Sequence, residues 1–327
     1  MVIHIYSPNL IQSIHNYLSI SLVIANVIVV SLLAPLLDGI ERRVKARIQC
    51  RRGPPIMQTW YDIIKLLRKG SVTQGPLIFK LMPYIAFITS LLTLSLLPTL
   101  FSNSLSFVGD IVVFIYLLAT PSVLIAIGSI YTGSPLASLG SCREISLWMA
   151  YELILAFSIA TLAINKSSLL LRRILPPYPP LHPSVIVAIA LIAFLTYAEG
   201  SRLPYDIPEA ESELSGGIIL EYGGAELGFA IYSLLIKRVV LTSLLIDLIL
   251  PRSGLINLLS NSINISSLVP KLVIIPAIYI LLLIMFSIIY STIEALHGRL
   301  RIDQALTLLK RIAVIAGVVV LAALMGF

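Results

Sequence analysis

Long apolar stretches recur along the chain and alternate with shorter polar segments. A helix that crosses a bilayer needs about 20 largely apolar residues. Eight windows reach or approach this length, and they cover residues 18–37, 77–101, 108–131, 145–164, 183–198, 226–250, 269–293 and 305–327. The fifth window is the shortest. The pattern predicts an all-α polytopic membrane protein, with about eight transmembrane helices in a single integral membrane domain over residues 1–327.

The polar segment between the first two windows, residues 38–76, contains a second kind of pattern. Its apolar residues recur at helical spacing: Ile56, Met57, Trp60, Ile63, Ile64 and Leu67. Polar and charged residues occupy the other side, which predicts an amphipathic helix lying in the membrane interface. Two roles stay open for this helix. It is either a lipid-facing surface helix or the wall of a lateral opening for a lipid-like molecule, formed by Trp60, Tyr61 and Asp62.

Composition agrees with a membrane protein. Hydrophobic residues make up 58% of the chain and charged residues 12%, against about 45–50% and 25% in soluble domains. The net charge of +7 does not indicate nucleic-acid binding, because no basic stripe is interleaved with aromatic residues. Sixteen Lys and Arg residues fall on the side of the odd-numbered loops and five on the other. The positive-inside rule therefore predicts a cell-membrane protein with both termini outside.

Residues that commonly hold metals or haem are sparse. The two cysteines, Cys50 and Cys142, form no CxxC pair, and the four histidines are scattered. Only His15 and His182 could share a depth suited to haem, and single interfacial histidines are commoner than haem ligands. We therefore expect no metal site and no cofactor bound by this chain alone.

Acidic residues concentrate between the fifth and sixth windows, in a segment at about 199–225. From 199 to 226 the chain carries seven carboxylates against Arg202 alone, a local charge of −6. The seven are Glu199, Asp206, Glu209, Glu211, Glu213, Glu221 and Glu226. Such a segment is commonly a solvated loop. Its glycines and its place between two spans favour close packing instead, where crowded carboxyl groups titrate together and can relay protons.

Further ionisable residues lie at or inside the apolar windows. They are Asp38, Glu41, Glu144, Glu152, Lys237, Arg238, Asp247 and Glu294. Each charge inside a membrane is costly unless it is paired or hydrated, so their number predicts a buried hydrophilic axis. The alternative to an ion path is a set of static ion pairs, such as Glu152 with Lys237.

Several short motifs carry a resemblance to a known family. The first polar loop contains ERRVKARIQ at 41–49 and RGP at 52–54; the acidic segment contains RLPYDIPEAESEL at 202–214 and EYGG at 221–224; the fourth window contains YEL at 151–153. These motifs, in this order, resemble the NADH dehydrogenase subunit 1 family of respiratory complex I. The compact GPPIMQ at 53–58 resembles the equivalent membrane protein of archaeal energy-converting membrane-bound NiFe-hydrogenases and related complexes.

The resemblance implies a membrane-anchor and coupling subunit that contains no redox centre. Its implied partners are a NiFe-hydrogenase-like large subunit and an iron–sulfur small subunit on the cytoplasmic face, antiporter-like membrane subunits, and lipid. Iron–sulfur clusters, and a NiFe centre or a flavin, would belong to those partners. Electron transfer in the partners would be linked to translocation of H⁺ or Na⁺.

The resemblance also implies roles for particular residues. The proton path would comprise the seven carboxylates of 199–226 together with Glu41, Glu144, Glu152 and Lys237. Arg202 would be the counter-charge of the acidic segment. The docking face for the peripheral arm would comprise Arg42, Arg43, Arg47, Arg51, Arg52 and Arg143. Two alternatives stay open: a quinone-site subunit of an NADH or reduced-deazaflavin dehydrogenase, and a stand-alone carrier or channel.

Overall fold

The structure, a computed structural model, describes residues 8–70, 75–100, 104–175, 182–250 and 273–326, with their side chains except at 8–19 and 211–212. These residues form helices and no strands. The helices are α1 (Pro8–Ile48), α2 (Gln58–Arg68), α3 (Leu77–Leu96), α4 (Asp110–Ile130), α5 (Pro135–Lys166), α6 (Leu171–Ile174), α7 (Pro183–Ala198), α8 (Glu211–Leu214), α9 (Gly224–Ile249), α10 (Ile275–Leu296) and α11 (Ile302–Leu324), with a 3-10 turn at Gly217–Ile219.

Seven of the described helices are long and apolar enough to cross a membrane, and α7 is a shorter apolar helix. The prediction of an all-α polytopic membrane protein is therefore confirmed, and the short fifth window corresponds to α7. One boundary differs clearly: α1 continues to Ile48, whereas the first window ends at residue 37. Residues 40–48 lack Pro and Gly and are rich in Glu, Arg, Lys and Ala, which favour helix. Residues 38–48 of the predicted first loop are thus a helical extension of the first span.

Other boundaries also move. Helix α5 begins at Pro135, ten residues before the predicted start at 145, with proline in its first turn, where its fixed φ suits a helix. Helix α3 ends at Leu96 rather than near 101, because Leu97 precedes Pro98 and takes the extended conformation that this position favours. The predicted start of the seventh window at 269 lies outside the described residues, and α10 begins at Ile275.

Helix α9 lies at the centre of the bundle, where it contacts α1, α2, α3, α4, α7 and α10. Its C-terminal half is buried on every side, with Val239, Leu241 and Ile246 among the core residues. A second group of helices surrounds α5, which packs against α4, α7 and α11. A helix that is buried all round has no lipid-facing stripe. Polar side chains on α9 therefore point into protein rather than into lipid.

The amphipathic helix predicted in the first loop is confirmed as α2, which packs against α1 and α9. Its inner face contains the fully buried Ile63 and the Thr59 hydroxyl, which donates a hydrogen bond of 2.9 Å to Asp38 on α1. Gly39 permits this contact, because a Cβ at that position would overlap the carbonyl oxygen of Ile56. The segment that leads into α2 therefore lies directly on α1.

The acidic segment folds into a compact cap on the ends of α4 and α5. Gly217 has a φ of +50° and a Cβ there would overlap the carbonyl oxygen of Pro208, so this turn requires glycine. The Ser129 hydroxyl on α4 donates a hydrogen bond to the Ile218 carbonyl, and the Tyr222 hydroxyl donates to Ile125 at 3.0 Å. These contacts hold the segment against the bundle.

Candidate functional site

The C-terminal end of α1 meets the acidic segment at a buried ion pair. Arg202 Nη2 lies 2.6 Å from Glu41 Oε1, and the two side chains are only 1% and 2% exposed. The Arg202 guanidinium carbon also lies 4.9 Å from the centre of the Tyr290 ring on α10. We expected Arg202 to neutralise the acidic segment itself. Its observed carboxylate partner is instead on α1, so Arg202 joins α1, α10 and the end of α7.

Arg238 on α9 extends this pair into a cluster. Its Nη1 lies 3.3 Å from Asp38 and 3.5 Å from Glu41, and its Nε donates to the Gly200 carbonyl at 2.9 Å. Arg42 completes the cluster with a 2.7 Å ion pair to Asp38. We call Asp38, Glu41, Arg42, Arg202 and Arg238 the five-charge cluster. It borders a small cavity that is otherwise lined mainly by apolar residues of α1 and α9.

A second buried charge centre lies around Lys237, one residue away on α9. Lys237 Nζ is 3.0 Å from Glu199 and donates a 2.7 Å hydrogen bond to the Ser122 hydroxyl of α4. The Lys237 and Glu199 side chains are 5% and 3% exposed. The ion pair considered from the sequence joined Lys237 to Glu152. The observed contact partner is Glu199, and Glu152 interacts with both groups at longer range.

The Lys237 centre contains more carboxyl groups than cations. Glu144 on α5 interacts electrostatically with Lys237, Glu199 and Asp206. Glu152, two turns further along α5, has a buried carboxyl oxygen without a hydrogen-bond partner. Three carboxyl groups therefore surround one ammonium group. Burying such an excess is unfavourable unless protons are shared among the carboxyl groups.

The acidic segment connects this centre to the protein surface. Asp206 pairs with Arg299 at 2.9 Å, and burial raises the pKa of Asp206 even though Arg299 opposes the shift. Burial also raises the pKa of Glu209 to about 7, with Asp206 and Glu144 adding to the effect. Glu213 is exposed, and its 2.8 Å hydrogen bond from Arg143 lowers its pKa. Inner and outer members of the segment therefore differ in proton affinity.

The remaining predicted path residues lie apart from Lys237. Glu226 is buried in the first turn of α9, where it interacts electrostatically with Tyr84 of α3. Glu221 is exposed. The backbone of Glu211 begins α8, and its side chain lies outside the described atoms. The structure therefore brings Glu144, Glu152 and Glu199 together around Lys237, places Asp206 and Glu209 near them, and leaves Glu221 at the surface.

The predicted docking residues are mostly accessible. Arg47, Arg51 and Arg52 are exposed at and after the end of α1, and Arg43 is half-buried. Arg42 is exposed at one edge but belongs to the five-charge cluster, and Arg143 is occupied by Glu213. The accessible part of this basic surface is thus the C-terminal end of α1.

The predicted lining of a lateral opening sits on α2 with mixed exposure. Trp60 is half-buried, with its ring centre 5.9 Å from that of Tyr232 on α9. Tyr61 is 60% exposed and points away from the bundle. Asp62 accepts a 2.9 Å hydrogen bond from Gln58 and lies 3.7 Å from Arg42. The three residues therefore lie on different sides of α2: Trp60 faces α9, Tyr61 faces outward, and Asp62 lies beside Arg42 of the five-charge cluster.

Several residues of the site were missed as site residues in the sequence. Arg299 falls in a loop with no recognised motif, and Ser122 is one of many serines in apolar windows. Lys45, counted only as a loop cation, forms a 2.7 Å ion pair with Glu294 on α10. Asp38 and Arg238 were recognised as charges in spans, without a signal for their partners. Among the residues the structure describes, no group of three or more His, Cys, Asp or Glu could hold a metal ion.

Comparison with known proteins identifies the family to which this chain belongs. The family model described as NADH dehydrogenase matches residues 20–325. Hydrogenase-4 component C of Escherichia coli (strain K12) is 35% identical over 267 residues, which are 79% of this chain and 84% of that protein. Formate hydrogenlyase subunit 4 of the same organism is 34% identical over 227 residues, 67% of this chain and 73% of that protein.

Other matches agree with these two. An NADH-quinone oxidoreductase subunit of Geobacter metallireducens is 33% identical over 237 residues, 66% of this chain and 72% of that protein. A chain in the structure of the membrane-bound sulfane sulfur reductase, an archaeal respiratory membrane complex, superposes with a TM-score of 0.76. That match covers 93% of this chain and 99% of the other at 21% identity, and it shows a shared fold. This multi-pass membrane chain belongs to the NADH dehydrogenase family, as its loop motifs predicted.

Proposed function

We propose that this chain is the membrane-anchor and coupling subunit of a complex I-like, ion-translocating oxidoreductase of the hydrogenase type. Two relatives are named as a hydrogenase-4 component and a formate hydrogenlyase subunit. A chain with the same fold belongs to an archaeal respiratory membrane complex. In this role the chain binds no redox cofactor and catalyses no reaction alone. Iron–sulfur clusters and a NiFe centre belong to a large and a small partner subunit.

The observation that carries this proposal is the continuity of ionisable groups from the surface to the bundle centre. Asp206 and Glu209 lie in the cap, Glu144 interacts with both Asp206 and Lys237, and Lys237 pairs with Glu199. Each neighbouring pair is close enough for the charge of one group to change the proton affinity of the next. A change in the cap can therefore be transmitted inward as a proton shift.

The proposed direction of coupling runs from the peripheral arm to the membrane. Reduction chemistry in a bound partner changes the charge or position of the acidic cap. The carboxyl groups then exchange protons through Glu144, Lys237 and Glu152 towards neighbouring antiporter-like subunits. The five-charge cluster connects the same cap to α1, so that Glu41 responds to a displacement of Arg202.

The proposed orientation places the end of α1 and the acidic cap in the cytoplasm, with both termini outside. The basic surface of Arg47, Arg51 and Arg52 then faces the peripheral arm and attracts an acidic partner. Arg43 lies beside this surface, whereas Arg143 fixes the cap through Glu213.

A quinone-site subunit of a dehydrogenase is the second candidate. The relative named as a subunit of an NADH-quinone oxidoreductase favours this second candidate. In a quinone-site subunit, the opening through which quinone enters would be bordered by Trp60, Tyr61 and Asp62. The direct contact between Ile56 and Gly39 leaves little room between α1 and the segment before α2. This packing favours the hydrogenase-type assignment.

Metal and flavin analysis of the natively purified assembly tests the proposal. Nickel and iron in the co-purified partners would support the hydrogenase type, and flavin with nicotinamide activity would select the dehydrogenase. An assembly without either would contradict both. Reconstitution of the purified chain alone tests the third class: ion flux through the isolated chain would identify a stand-alone carrier or channel, which the subunit proposal excludes.

A further inference from the structure

Helix α2 has an apolar stripe on the face that points away from the protein. Thr59 and Ile63 on its inner face are each 1% exposed, whereas Met57, Tyr61 and Ile64 are 50%, 60% and 40% exposed. The spacing i, i+4, i+7 aligns these three residues along one side of the helix. A helix that is apolar both inside and outside needs a second apolar surface to cover its outer side.

Basic side chains border this stripe at the C-terminal end of the helix. Lys65, Arg68 and Lys69 are all exposed. None of the three takes part in an ion pair with the residues that the structure describes. The one acid of α2, Asp62, is engaged by Gln58 and Arg42. The outer face of α2 therefore combines an uncovered apolar stripe with unneutralised positive charge.

The basic end of α2 lies level with the starts of two membrane-crossing helices. A Cβ on Gly224, at the start of α9, would lie 2.7 Å from the carbonyl oxygen of Gly70. Tyr222, just before α9, stacks on Phe79 in the first turn of α3 with ring centres 4.3 Å apart. Helix α3 continues outward with a stripe of exposed apolar residues at Leu77, Leu81, Ile85, Ile88 and Leu92.

These observations select a lipid rather than a protein as the covering molecule. Cations at the level where spans begin, next to an apolar stripe, match the headgroup and upper acyl region of a bilayer. Each Lys or Arg near an anionic membrane surface contributes about 1 kcal/mol, which corresponds to roughly a fivefold change in binding. We infer that the outer face of α2 is a binding site for anionic phospholipid, with Lys65, Arg68 and Lys69 at the headgroup and Met57, Tyr61 and Ile64 against the acyl chains.

This site does not depend on the coupling role, and its chemistry differs from that of the docking surface on α1. The exposed arginines at and after the end of α1 are not accompanied by an exposed apolar stripe like that of α2. Helix α2 presents exposed basic residues and an exposed apolar stripe together. Lipid binding would also fix the amphipathic helix in the membrane plane. The inner face of α2 would then hold Asp38 through Thr59.

The two tryptophans of the chain, Trp60 and Trp148, allow a direct test. In a Trp148→Phe variant of the full-length chain, Trp60 on α2 is the only tryptophan. We expect brominated phosphatidylglycerol in the vesicle to quench the fluorescence of Trp60 several-fold more strongly than brominated phosphatidylcholine does at the same mole fraction. The preference should fall as salt is raised, because salt screens headgroup charge. Equal quenching by the two lipids at low salt would overturn the inference.

A charge-removal variant identifies the residues responsible. Lys65→Gln, Arg68→Gln and Lys69→Gln together should reduce the preference for phosphatidylglycerol to near unity, and millimolar inorganic phosphate should not compete. Arg47→Gln, Arg51→Gln and Arg52→Gln together form the matched control and should retain it. If the first variant does not fold, the inference is tested by the salt dependence of the quenching preference in the Trp148→Phe protein. A preference that does not fall as salt is raised would overturn it. Quenching that is present in the isolated chain but lost in the native assembly would assign the face to a protein partner and overturn the inference.

Discussion

Arg202 and Glu41 are separated by 161 residues in the chain and form a 2.6 Å ion pair with both side chains almost completely buried. The pair joins the end of α1 to the segment that follows α7, and Arg238 of α9 contacts Glu41 from a second side. Buried ion pairs add little net stability, but removing one partner leaves the other charge uncompensated. The pair therefore makes the position of the acidic cap dependent on α1.

Arg202→Gln should destabilise the protein strongly. Loss of one partner of a buried pair costs about 3–5 kcal/mol. Arg238, 3.5 Å from Glu41, offsets part of this cost, whereas the contact of Arg202 with Tyr290 is lost. The free energy of unfolding in mixed detergent micelles measures the effect. Arg143→Gln provides the control, because its ion pair with Glu213 is 26% and 56% exposed and should contribute less than about 1 kcal/mol. Equal losses in the two variants would contradict a special role for Arg202.

Lys237→Met should abolish ion translocation. The change leaves Glu199 buried without its ammonium partner and removes the cation that Glu144 and Glu152 share. We expect at least a tenfold loss of electron-transfer-driven ion uptake by vesicles containing the assembly. The single variant should also be less stable, for the same reason as Arg202→Gln.

A double variant separates transport from folding. Lys237→Met with Glu199→Gln removes both charges of the pair, so that stability should recover to within about 1–2 kcal/mol of the parent. Ion uptake should stay low, because neither position 237 nor position 199 can then exchange a proton with Glu144 and Glu152. Normal ion uptake by the double variant would contradict a role of the Lys237 centre in translocation and would support the alternative of static ion pairs.

The elements of the fold could be predicted from the sequence, whereas the partners within the site could not. The periodicity of residues 56–69 predicted α2, and the length of the apolar windows predicted the spans, because both depend on local order along one helix. The ion pairs of Arg202, Lys237 and Arg299 join residues far apart in the chain. Their choice depends on helix packing, which no local pattern encodes.

In the acidic segment too, the location of the charges could be predicted from the sequence, whereas their surroundings could not. Its charge density marks it in the sequence as a candidate segment, but the seven carboxylates of this window look alike there. The fold separates them: Glu199 and Glu226 are buried, and Glu213 and Glu221 are exposed. The two buried members lie at the end of α7 and in the first turn of α9, whereas the two exposed members lie on either side of the turn at Gly217.

Glu209 should titrate near neutral pH. Burial raises its pKa to about 7 from an ordinary value of 4.5, so between these two values the folded protein keeps a proton that the unfolded chain has lost. Stability should therefore fall as pH rises through this window and level off above it. Glu209→Gln should remove that slope, as measured by denaturation at a series of pH values.

An infrared titration locates the proton directly. One component of the protonated carboxyl band of the parent assembly should be lost with a midpoint near pH 7, the pKa of Glu209, and this component should be absent in Glu209→Gln. Asp303→Asn, an exposed carboxylate at the start of α11, is the matched control and should leave the band unchanged. A band of equal intensity in Glu209→Gln and the parent would contradict the assignment.

Arg299→Gln should shift the titration of the acidic cap to higher pH. Arg299 donates a hydrogen bond to Asp206 and lowers the pKa of both Asp206 and Glu209 against the effect of burial. The main-chain hydrogen bond from Leu300 to Pro204, 3.1 Å long, does not involve the side chain and should keep the cap in place. The infrared midpoint should therefore move above 7, the value for Glu209 in the parent, while stability at acid pH changes little. Arg311 is exposed on α11, and Arg311→Gln is the control that should leave the infrared midpoint unchanged. If the midpoint is also unchanged in Arg299→Gln, Arg299 does not influence the proton affinity of the cap.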